Sequence, residues 1–313
     1  MILIPIFLGT LLFLVLLALL TAYICFRRIF YSPDRDPHAP DTIPEGKIYE
    51  ERREQLETWM QMAHSLPHKS VSIRSFDGLL LRARYYEHHK GAPIEILLHG
   101  YRGNAIRDLS GGIQRCFRLE HNVLIVEHRA SGQSEGNVIT FGVNESRDCE
   151  AWVNFVLREI DPEAKIILAG VSMGAATAMI CASRPLPKNL VGVLADCGYT
   201  SARAIISKVM RDMHLPPKLL YPFVRLGARL FGHFDPDSAS PIESLANSRL
   251  PVLLLHGDTD DFVPYRMSEE NYEACITEKR LVCIHGAGHG VAFPVDPEAY
   301  LAEAKQFFSP YLS

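Results

Sequence analysis

The stretch IILAGVSMGAATA, residues 166–178, joins an apolar run to a glycine-flanked serine and a series of small residues. A short, continuous apolar run is typical of a strand buried on both faces of a parallel sheet. The Gly-x-Ser-x-Gly motif follows at once, and alanines follow the motif, which predicts a sharp turn from strand into helix. Because glycine on both sides relieves the crowding of such a turn, we expect Ser172 to present its hydroxyl at the carboxyl end of the strand.

Apolar runs of the same kind recur along the chain. They occupy residues 94–98, 123–126, 190–195, 252–255 and 281–284, and helical patterns lie between them. Before the first run, apolar residues alternate with polar ones on both sides of Asp77 and Gly78, as in an antiparallel hairpin. The chain is therefore predicted to adopt an α/β fold with an eight-stranded, mostly parallel, doubly wound sheet.

A serine hydroxyl becomes a good nucleophile only when a base removes its proton, so a histidine is needed at the same edge of the sheet. The chain has 13 histidines. His289 lies in GAGHG, residues 286–290, a flexible loop directly after the last apolar run, and it is the predicted base. His285 ends that strand, and we expect it to be packed or bonded to the backbone.

The imidazole in turn needs a carboxylate to hold its tautomer and to stabilise its protonated form. The segment HGDTDDFVP, residues 256–264, offers Asp258, Asp260 and Asp261, and Asp196 ends the preceding apolar run. Aspartates in such loops also form turns by accepting hydrogen bonds from nearby backbone N–H groups. The residues alone leave the choice of acid open.

Four motifs together resemble the successive signatures of the α/β-hydrolases. They are HGY at residues 99–101, GVSMG at 170–174, HGDTDDFVP at 256–264 and GHG at 288–290. The resemblance covers roughly residues 70–310 and extends to a membrane-anchored branch grouped with prolyl-oligopeptidase-like and acyl-protein-thioesterase-like proteins. It implies a catalytic triad in the chain order Ser172, Asp260, His289.

The same resemblance implies an oxyanion hole formed by the backbone N–H groups of Tyr101 and Met173. His99 and Gly100 are then expected to shape the turn before Tyr101. The segment EHRASGQS, residues 127–134, resembles the family's DxRGxGxS loop, and we interpret it as structural. Neither a cofactor nor a metal is expected for this chemistry.

The first segment of the chain, residues 2–26, is uncharged and rich in leucine, and is long enough to cross a bilayer core of about 30 Å. We predict an uncleaved transmembrane anchor over residues 1–26, since no Lys or Arg precedes the run and no small-residue cleavage site follows it. Arg27, Arg28 and Arg35 follow, which predicts a single-pass protein of the cell membrane with a cytoplasmic catalytic domain. Seven scattered cysteines without CxxC spacing agree with a reducing compartment.

Residues 27–46 contain four prolines and are predicted to form an extended linker that holds the hydrolase domain, residues 47–313, off the membrane. Within that domain, residues 198–250 form a long interruption between two strands, which predicts a helical cap. Residues 203–233 carry six basic side chains against Asp212 alone, interleaved with apolar residues at helical spacing. We expect the cap to bind an apolar acyl chain and to face anionic lipid.

These features predict a serine hydrolase that cleaves an ester or thioester of a small-molecule or lipid-like acyl compound through an acyl-enzyme. A net charge of -4 gives no sign of a nucleic-acid partner. A serine peptidase of the prolyl-oligopeptidase type would use the same triad, but the chain has no room for the large additional domain that restricts entry in such enzymes. Transferase or lyase chemistry and a non-catalytic, membrane-tethered binding module are further hypotheses that the residues leave open.

Overall fold

The computed structural model of the chain describes residues 3–32 and 41–312. Its strands are β1 (Lys69–Arg74), β2 (Leu80–Tyr86), β3 (Ile94–Leu98), β4 (Asn122–Val126), β5 (Ile166–Val171), β6 (Leu190–Asp196), β7 (Val252–Gly257) and β8 (Lys279–Ile284). They form one eight-stranded sheet in the order β1-β2-β4-β3-β5-β6-β7-β8. The β1–β2 and β2–β4 pairs are antiparallel and all the others are parallel, which confirms the predicted sheet.

Helices cover both faces of the sheet. They are α1 (Leu3–Ile29), α2 (Lys47–Glu50), α3 (Arg53–Ser65), α4 (Ala105–Arg118), α5 (Glu145–Phe155), α6 (Met173–Cys181), α7 (Ala202–Asp212), α8 (Pro217–Phe231), α9 (Pro241–Leu245), α10 (Tyr265–Ala274), α11 (Ala292–Val295) and α12 (Pro297–Leu312). A π-helical turn, Val156–Ile160, continues α5. Successive residues of β3 point to opposite faces, so Ile96 lies in the same apolar cluster as Trp152 of α5, while Leu97 lies in the cluster that contains Ile113 of α4. Both faces are therefore buried, as the continuous apolar runs predict.

Helix α1 has two parts with different surroundings. Its segment Ile6–Ile29 is long and apolar enough to cross a membrane, by length and composition. Large apolar side chains are exposed along most of that segment, whereas Ala22, Phe26 and the following Phe30 are buried against the domain. Their main partner is α8, which approaches so closely that a Cβ on Gly227 would lie 2.2 Å from the Ala22 carbonyl oxygen.

The chain on either side of residues 33–40 contacts the domain. Residues 27–29 continue α1, Tyr31 pairs with Val138 as an isolated antiparallel bridge, and the Ser32 N–H donates to the Asn137 carbonyl. Residues 43–49 lie along the cavity described below. Three of the four linker prolines and Arg35 lie outside the described residues, whereas both described ends of the predicted linker touch the domain.

The residues between β6 and β7 form α7, α8 and α9, in the region predicted to be a helical cap. Three of the six basic side chains of residues 203–233 pair with acids that lie just beyond residue 233. Asp235 pairs with Arg225 and Arg229, and Asp237 pairs with Arg203 and Arg225. Lys208 pairs with Asp212 in the next turn of α7. The local excess of positive charge is thus smaller than residues 203–233 taken alone suggest.

Candidate active site

Ser172 occupies a sharp turn between β5 and α6. Its backbone has φ 56° and ψ -115°, a left-handed conformation that non-glycine residues rarely adopt. Glycine is required on both sides, because a Cβ on Gly170 would lie 2.2 Å from the Gly174 carbonyl carbon, and a Cβ on Gly174 would lie 1.9 Å from the Leu98 carbonyl oxygen. The strained serine is held by its neighbours, as is common at functional sites.

Three predicted side chains meet at the carboxyl edge of the sheet. The Ser172 Oγ lies 2.9 Å from His289 Nε2, and His289 Nδ1 lies 2.7 Å from Asp260 Oδ2. Since the carboxylate can only accept, Nδ1 carries the proton, and Nε2 accepts from the serine hydroxyl. The structure therefore brings together a hydroxyl, an imidazole and a carboxylate in the order that proton transfer from serine requires.

Asp260 has other hydrogen-bond partners in addition to His289. Its Oδ1 accepts from the N–H groups of Phe262 and Val263, and its Oδ2 lies 3.1 Å from His256 Nε2. Burial raises the pKa of Asp260, but the hydrogen bonds from the two histidines, the His289 charge and the Val263 N–H outweigh it and hold that pKa well below its usual value. The carboxylate is therefore ionised at neutral pH.

The other candidate acids lie elsewhere. Asp258 accepts from the Gly286 N–H at 2.7 Å and contacts His285 Nδ1 at 2.8 Å, on the surface. Asp261 is exposed, and Asp196 is buried with its Oδ2 accepting from the Tyr300 hydroxyl. The expectation that His285 is packed or bonded to the backbone was wrong: its side chain is 87% exposed and contacts the Asp258 carboxylate, and β8 ends one residue earlier, at Ile284.

Both predicted oxyanion donors belong to residues near Ser172, Met173 as its neighbour in the chain and Tyr101 through the fold. Met173 is the first residue of α6, where the backbone N–H has no partner within the helix. Tyr101 follows Gly100, on which a Cβ would lie 3.7 Å from the Ser172 Cβ. Among the residues that the structure describes, no backbone acceptor contacts the Tyr101 N–H.

The whole region that carries these residues matches one known family. Residues 96–304 match the model of the alpha/beta hydrolase family. The chain belongs to the alpha/beta hydrolase family. This confirms the resemblance of the motifs to the α/β-hydrolases.

Relatives of this hydrolase occur among bacterial proteins and among solved structures. The chain is 26% identical over 236 residues to the uncharacterized protein YqkD of Bacillus subtilis, which covers 75% of this chain and 77% of YqkD. It is 26% identical over 289 residues to the uncharacterized protein Rv2307c of Mycobacterium tuberculosis, covering 90% and 87% of the two chains. Among solved structures, the esterase Pf2001 of Pyrococcus furiosus aligns with a TM-score of 0.65 at 22% identity, over 88% of this chain and 99% of that one.

A cavity of about 680 Å³ opens beside Ser172 and His289. Its walls are mainly apolar, with Trp59 of α3, Leu97 of β3 and Phe293 of α11 among them, and residues 43–49 close one side. Within the described ranges, its lining includes no residue of 198–250. The expectation that the cap binds the acyl chain does not hold for this cavity, because α8 turns apolar residues toward α1 instead.

The hydrolase holds its predicted base with a residue that the sequence did not point to. The Tyr49 hydroxyl donates to the His289 backbone carbonyl at 3.0 Å, and a Cβ on Gly288 would lie 2.8 Å from Ile48. Tyr49 and His289 are 240 residues apart, so no local pattern could have related them. His256 was also missed as a partner of Asp260, although it belongs to the HGDTDDFVP segment.

The loop of residues 127–134 has the structural role that we expected. Arg129 is buried and pairs with Asp148 and Asp77, which joins the loop to α5 and to the β1–β2 turn. His99 is buried, its Nδ1 lies 2.8 Å from the Gly100 carbonyl, and its Nε2 accepts from the His128 N–H. Both contacts support the turn that leads to Tyr101.

Among the residues that the structure describes, two groups of side chains bring metal-binding atoms within 4.8 Å of one another: Cys197, Asp260 and His289, and Asp258, Cys283 and His285. In the first group, the imidazole already bridges the serine and the carboxylate, and burial raises the pKa of the Cys197 thiol well above its usual value. That thiol is therefore protonated at neutral pH and is a poor metal ligand. The chemistry of the first group fits proton transfer.

Proposed function

We propose that this hydrolase cleaves carboxylic esters or thioesters, with Ser172 as nucleophile, His289 as base and Asp260 as the acid that orients the base. The observation that carries the proposal is the relay of two hydrogen bonds, 2.9 Å from Ser172 to His289 and 2.7 Å from His289 to Asp260. Hydrogen bonds of this length allow the proton transfer that activates a serine.

In the proposed reaction, Ser172 Oγ attacks the acyl carbonyl carbon while its proton passes to His289 Nε2. The resulting oxyanion accepts hydrogen bonds from the N–H groups of Tyr101 and Met173. His289 then protonates the departing alcohol or thiol, which leaves an acyl-serine. Water, deprotonated by His289, attacks this ester and releases the carboxylic acid. Asp260 stays ionised throughout and stabilises the imidazolium.

An ester or thioester substrate is favoured by two observations. The apolar cavity beside Ser172 suits a hydrocarbon acyl group, which gains about 0.8 kcal/mol for each buried methylene. In addition, the Pyrococcus furiosus protein of similar fold is an esterase. Both observations favour an acyl ester over a peptide.

The test uses the full chain in detergent micelles. We expect it to react covalently with a fluorophosphonate and to hydrolyse short p-nitrophenyl esters, and Ser172→Ala to abolish both. Ser70→Ala, which changes an exposed serine on β1, is the matched control and should retain both activities. A wild-type chain that neither reacts nor hydrolyses would contradict the proposal. Comparing acyl-CoA, lipid ester and aminoacyl-amide substrates would then separate thioesterase, esterase and peptidase.

We also propose that α1 anchors the hydrolase in a membrane, with the catalytic domain in the cytoplasm. Helix α1 differs from a soluble core helix, because most of its apolar side chains are exposed. It also differs from a removed leader, because Ala22 and Phe26 are buried against the domain and their loss would uncover α8. Arg27 and Arg28, at the domain end of α1, support the cytoplasmic orientation.

The cap supplies a second surface suited to lipid. At the α7–α8 turn, Met213 and Leu219 are each 63% exposed. Arg211 and Lys218 flank them and have no ion-pair partner in the part of the chain that the structure describes. Exposed apolar side chains beside free basic ones are typical of a surface that enters the headgroup region of a bilayer. These two basic residues, and not the paired Arg225 and Arg229, are the proposed contacts with anionic lipid.

Tryptophan fluorescence tests the cap surface in the full chain reconstituted into anionic vesicles. Leu219→Trp should add emission that brominated lipids quench, above the background of Trp59 and Trp152. Ile276→Trp is the matched control. Ile276 is 70% exposed, but it precedes β8 and so lies near the amino ends of the parallel strands, whereas α7 and α8 follow the carboxyl end of β6. Equal quenching of the two variants, or none of either, would reject the lipid contact and leave the proposed triad untouched.

A further inference from the structure

We propose that the last turn of α1 positions the oxyanion turn, and that Tyr101 and Arg102 are the positioning residues. This inference rests on the proposed function, because it assigns a role to the N–H of Tyr101. In this proposal, the predicted membrane anchor attaches the protein to lipid and also helps to hold the active site in place.

The first support is a set of hydrogen bonds from the turn to backbone carbonyls at the end of α1 and just beyond it. The Tyr101 hydroxyl donates to the Ile29 carbonyl at 2.7 Å. The Arg102 guanidinium donates to the carbonyls of Arg28, at 2.9 Å, and Tyr31, at 3.2 Å. Carbonyls at the end of a helix lack intrahelical donors and carry the partial negative charge of the helix. A guanidinium there is therefore stabilised both by hydrogen bonds to these carbonyls and by its charge.

The second support is the conformation of the turn itself. The Gly103 N–H donates to the Gly100 carbonyl at 3.1 Å, which closes a four-residue turn with Tyr101 and Arg102 in the middle. Arg102 has φ 52°, in the left-handed region that favours glycine at this position of a turn. A non-glycine residue keeps such a conformation only when its surroundings hold it there. The contacts of Arg102 with α1 provide that restraint.

The third support is the packing that fixes α1 relative to the turn. Phe30 is fully buried, and its ring lies 5.6 Å from that of Phe141. Phe141 in turn lies 5.1 Å from the Tyr101 ring. The Ile139 N–H donates to the Phe30 carbonyl at 2.8 Å. The end of α1 therefore cannot shift without disturbing the side chain of the residue that carries the proposed oxyanion donor.

An oxyanion donor acts on the transition state and contributes little to substrate binding, so misplacing it should lower kcat and leave KM unchanged. We therefore expect Arg102→Ala to lower kcat by about 10- to 100-fold. It should weaken binding of a trifluoromethyl ketone, which forms the oxyanion with Ser172, by the same factor. Arg102→Gly should lose less than Arg102→Ala, because glycine adopts a positive φ without strain. Tyr101→Phe should show a smaller loss of the same kind.

The experiment compares these variants with wild type as full chains in detergent, with kcat, KM, the ketone inhibition constant and the melting temperature measured for each. Arg118→Ala is the matched control, since it removes an exposed arginine that pairs with Glu298. Unchanged kcat and ketone affinity in Arg102→Ala, in a wild-type background that hydrolyses esters, would overturn this inference alone. Equal losses for alanine and glycine that follow the melting temperature would also overturn it. A wild-type chain without fluorophosphonate labelling would instead overturn the proposed function.

Discussion

His256 contacts Asp260 from a fully buried position, with its Nε2 3.1 Å from the carboxylate oxygen Oδ2. The same Nε2 lies 2.9 Å from the Val263 carbonyl, so it must carry the proton, while Nδ1 accepts from the Ser268 hydroxyl at 2.6 Å. The histidine that opens the HGDTDDFVP segment thus orients the predicted acid of the triad.

Replacing His256 with phenylalanine should therefore impair the enzyme through Asp260. The variant removes the His256 Nε2–H donor from the buried Asp260 carboxylate, which should lower the free energy of unfolding by about 1–3 kcal/mol. We expect kcat to fall by about tenfold as the carboxylate loses its orientation. His285→Phe, at an exposed histidine on the neighbouring loop, should change neither the melting temperature nor kcat. Equal effects of the two changes would contradict the role given to His256.

Asp260→Asn should be far more damaging to turnover than Asp258→Asn. Asparagine at position 260 cannot stabilise the imidazolium and favours the wrong tautomer of His289, so we expect kcat to fall by about 10⁴-fold. Asp258 contacts His285 instead, and its replacement should leave kcat near that of wild type. Circular dichroism would verify that both variants are folded. A larger loss from Asp258→Asn, or from Asp196→Asn, would mean that the acid has been wrongly assigned.

Asp196 should make stability depend on pH between about 4 and 6. Burial raises the pKa of Asp196 from 3.8 to about 6, although His256 and Tyr300 act in the opposite direction. The folded protein therefore binds this proton more tightly than the unfolded chain does. The stabilisation is complete below pH 3.8 and is lost as the pH rises through 6, by about 3 kcal/mol in total. Urea unfolding across this range should show the loss in wild type relative to Asp196→Asn, and parallel curves would contradict it.

The contact between α1 and α8 should not tolerate a methyl group at Gly227. Its Cβ would lie 2.2 Å from the Ala22 carbonyl oxygen, a backbone atom that cannot turn away. We expect Gly227→Ala to separate the helices and to cost about 1–3 kcal/mol, seen as a lower melting temperature in detergent. Gly9→Ala lies in α1 with nothing within 4 Å and should not lower that temperature. A stable Gly227→Ala protein would mean that the two helices are not held at this distance.

Several features of this hydrolase could be predicted from the sequence because their causes are local. Strands such as β3 and β5 can be predicted from short apolar runs in the sequence, because helices bury their residues on both faces of the sheet. The turn at Ser172 is predicted by the two glycines that it cannot do without. The position of His289 follows from its place directly after the last strand, because parallel strands end at one edge of the sheet.

Other features depended on contacts between segments that are distant in the chain. Only the tertiary structure distinguished Asp260 from Asp258 by geometry, since the two lie in one loop and differ in which histidine they face. It alone related Tyr49 to His289. It also paired Arg225 with acids that lie beyond the predicted basic stretch of residues 203–233.

The N-terminal helix shows the same division most clearly. Its length and apolar composition are properties of the sequence by itself, and they suffice to mark it as a candidate membrane span. That composition does not predict its contacts with α8 and with Tyr101, because a uniformly apolar helix has no preferred face. Close packing against Gly227 of α8 fixes one face of α1, and the backbone carbonyls at the end of α1 accept from Tyr101 and Arg102. Only the folded chain brings these groups together.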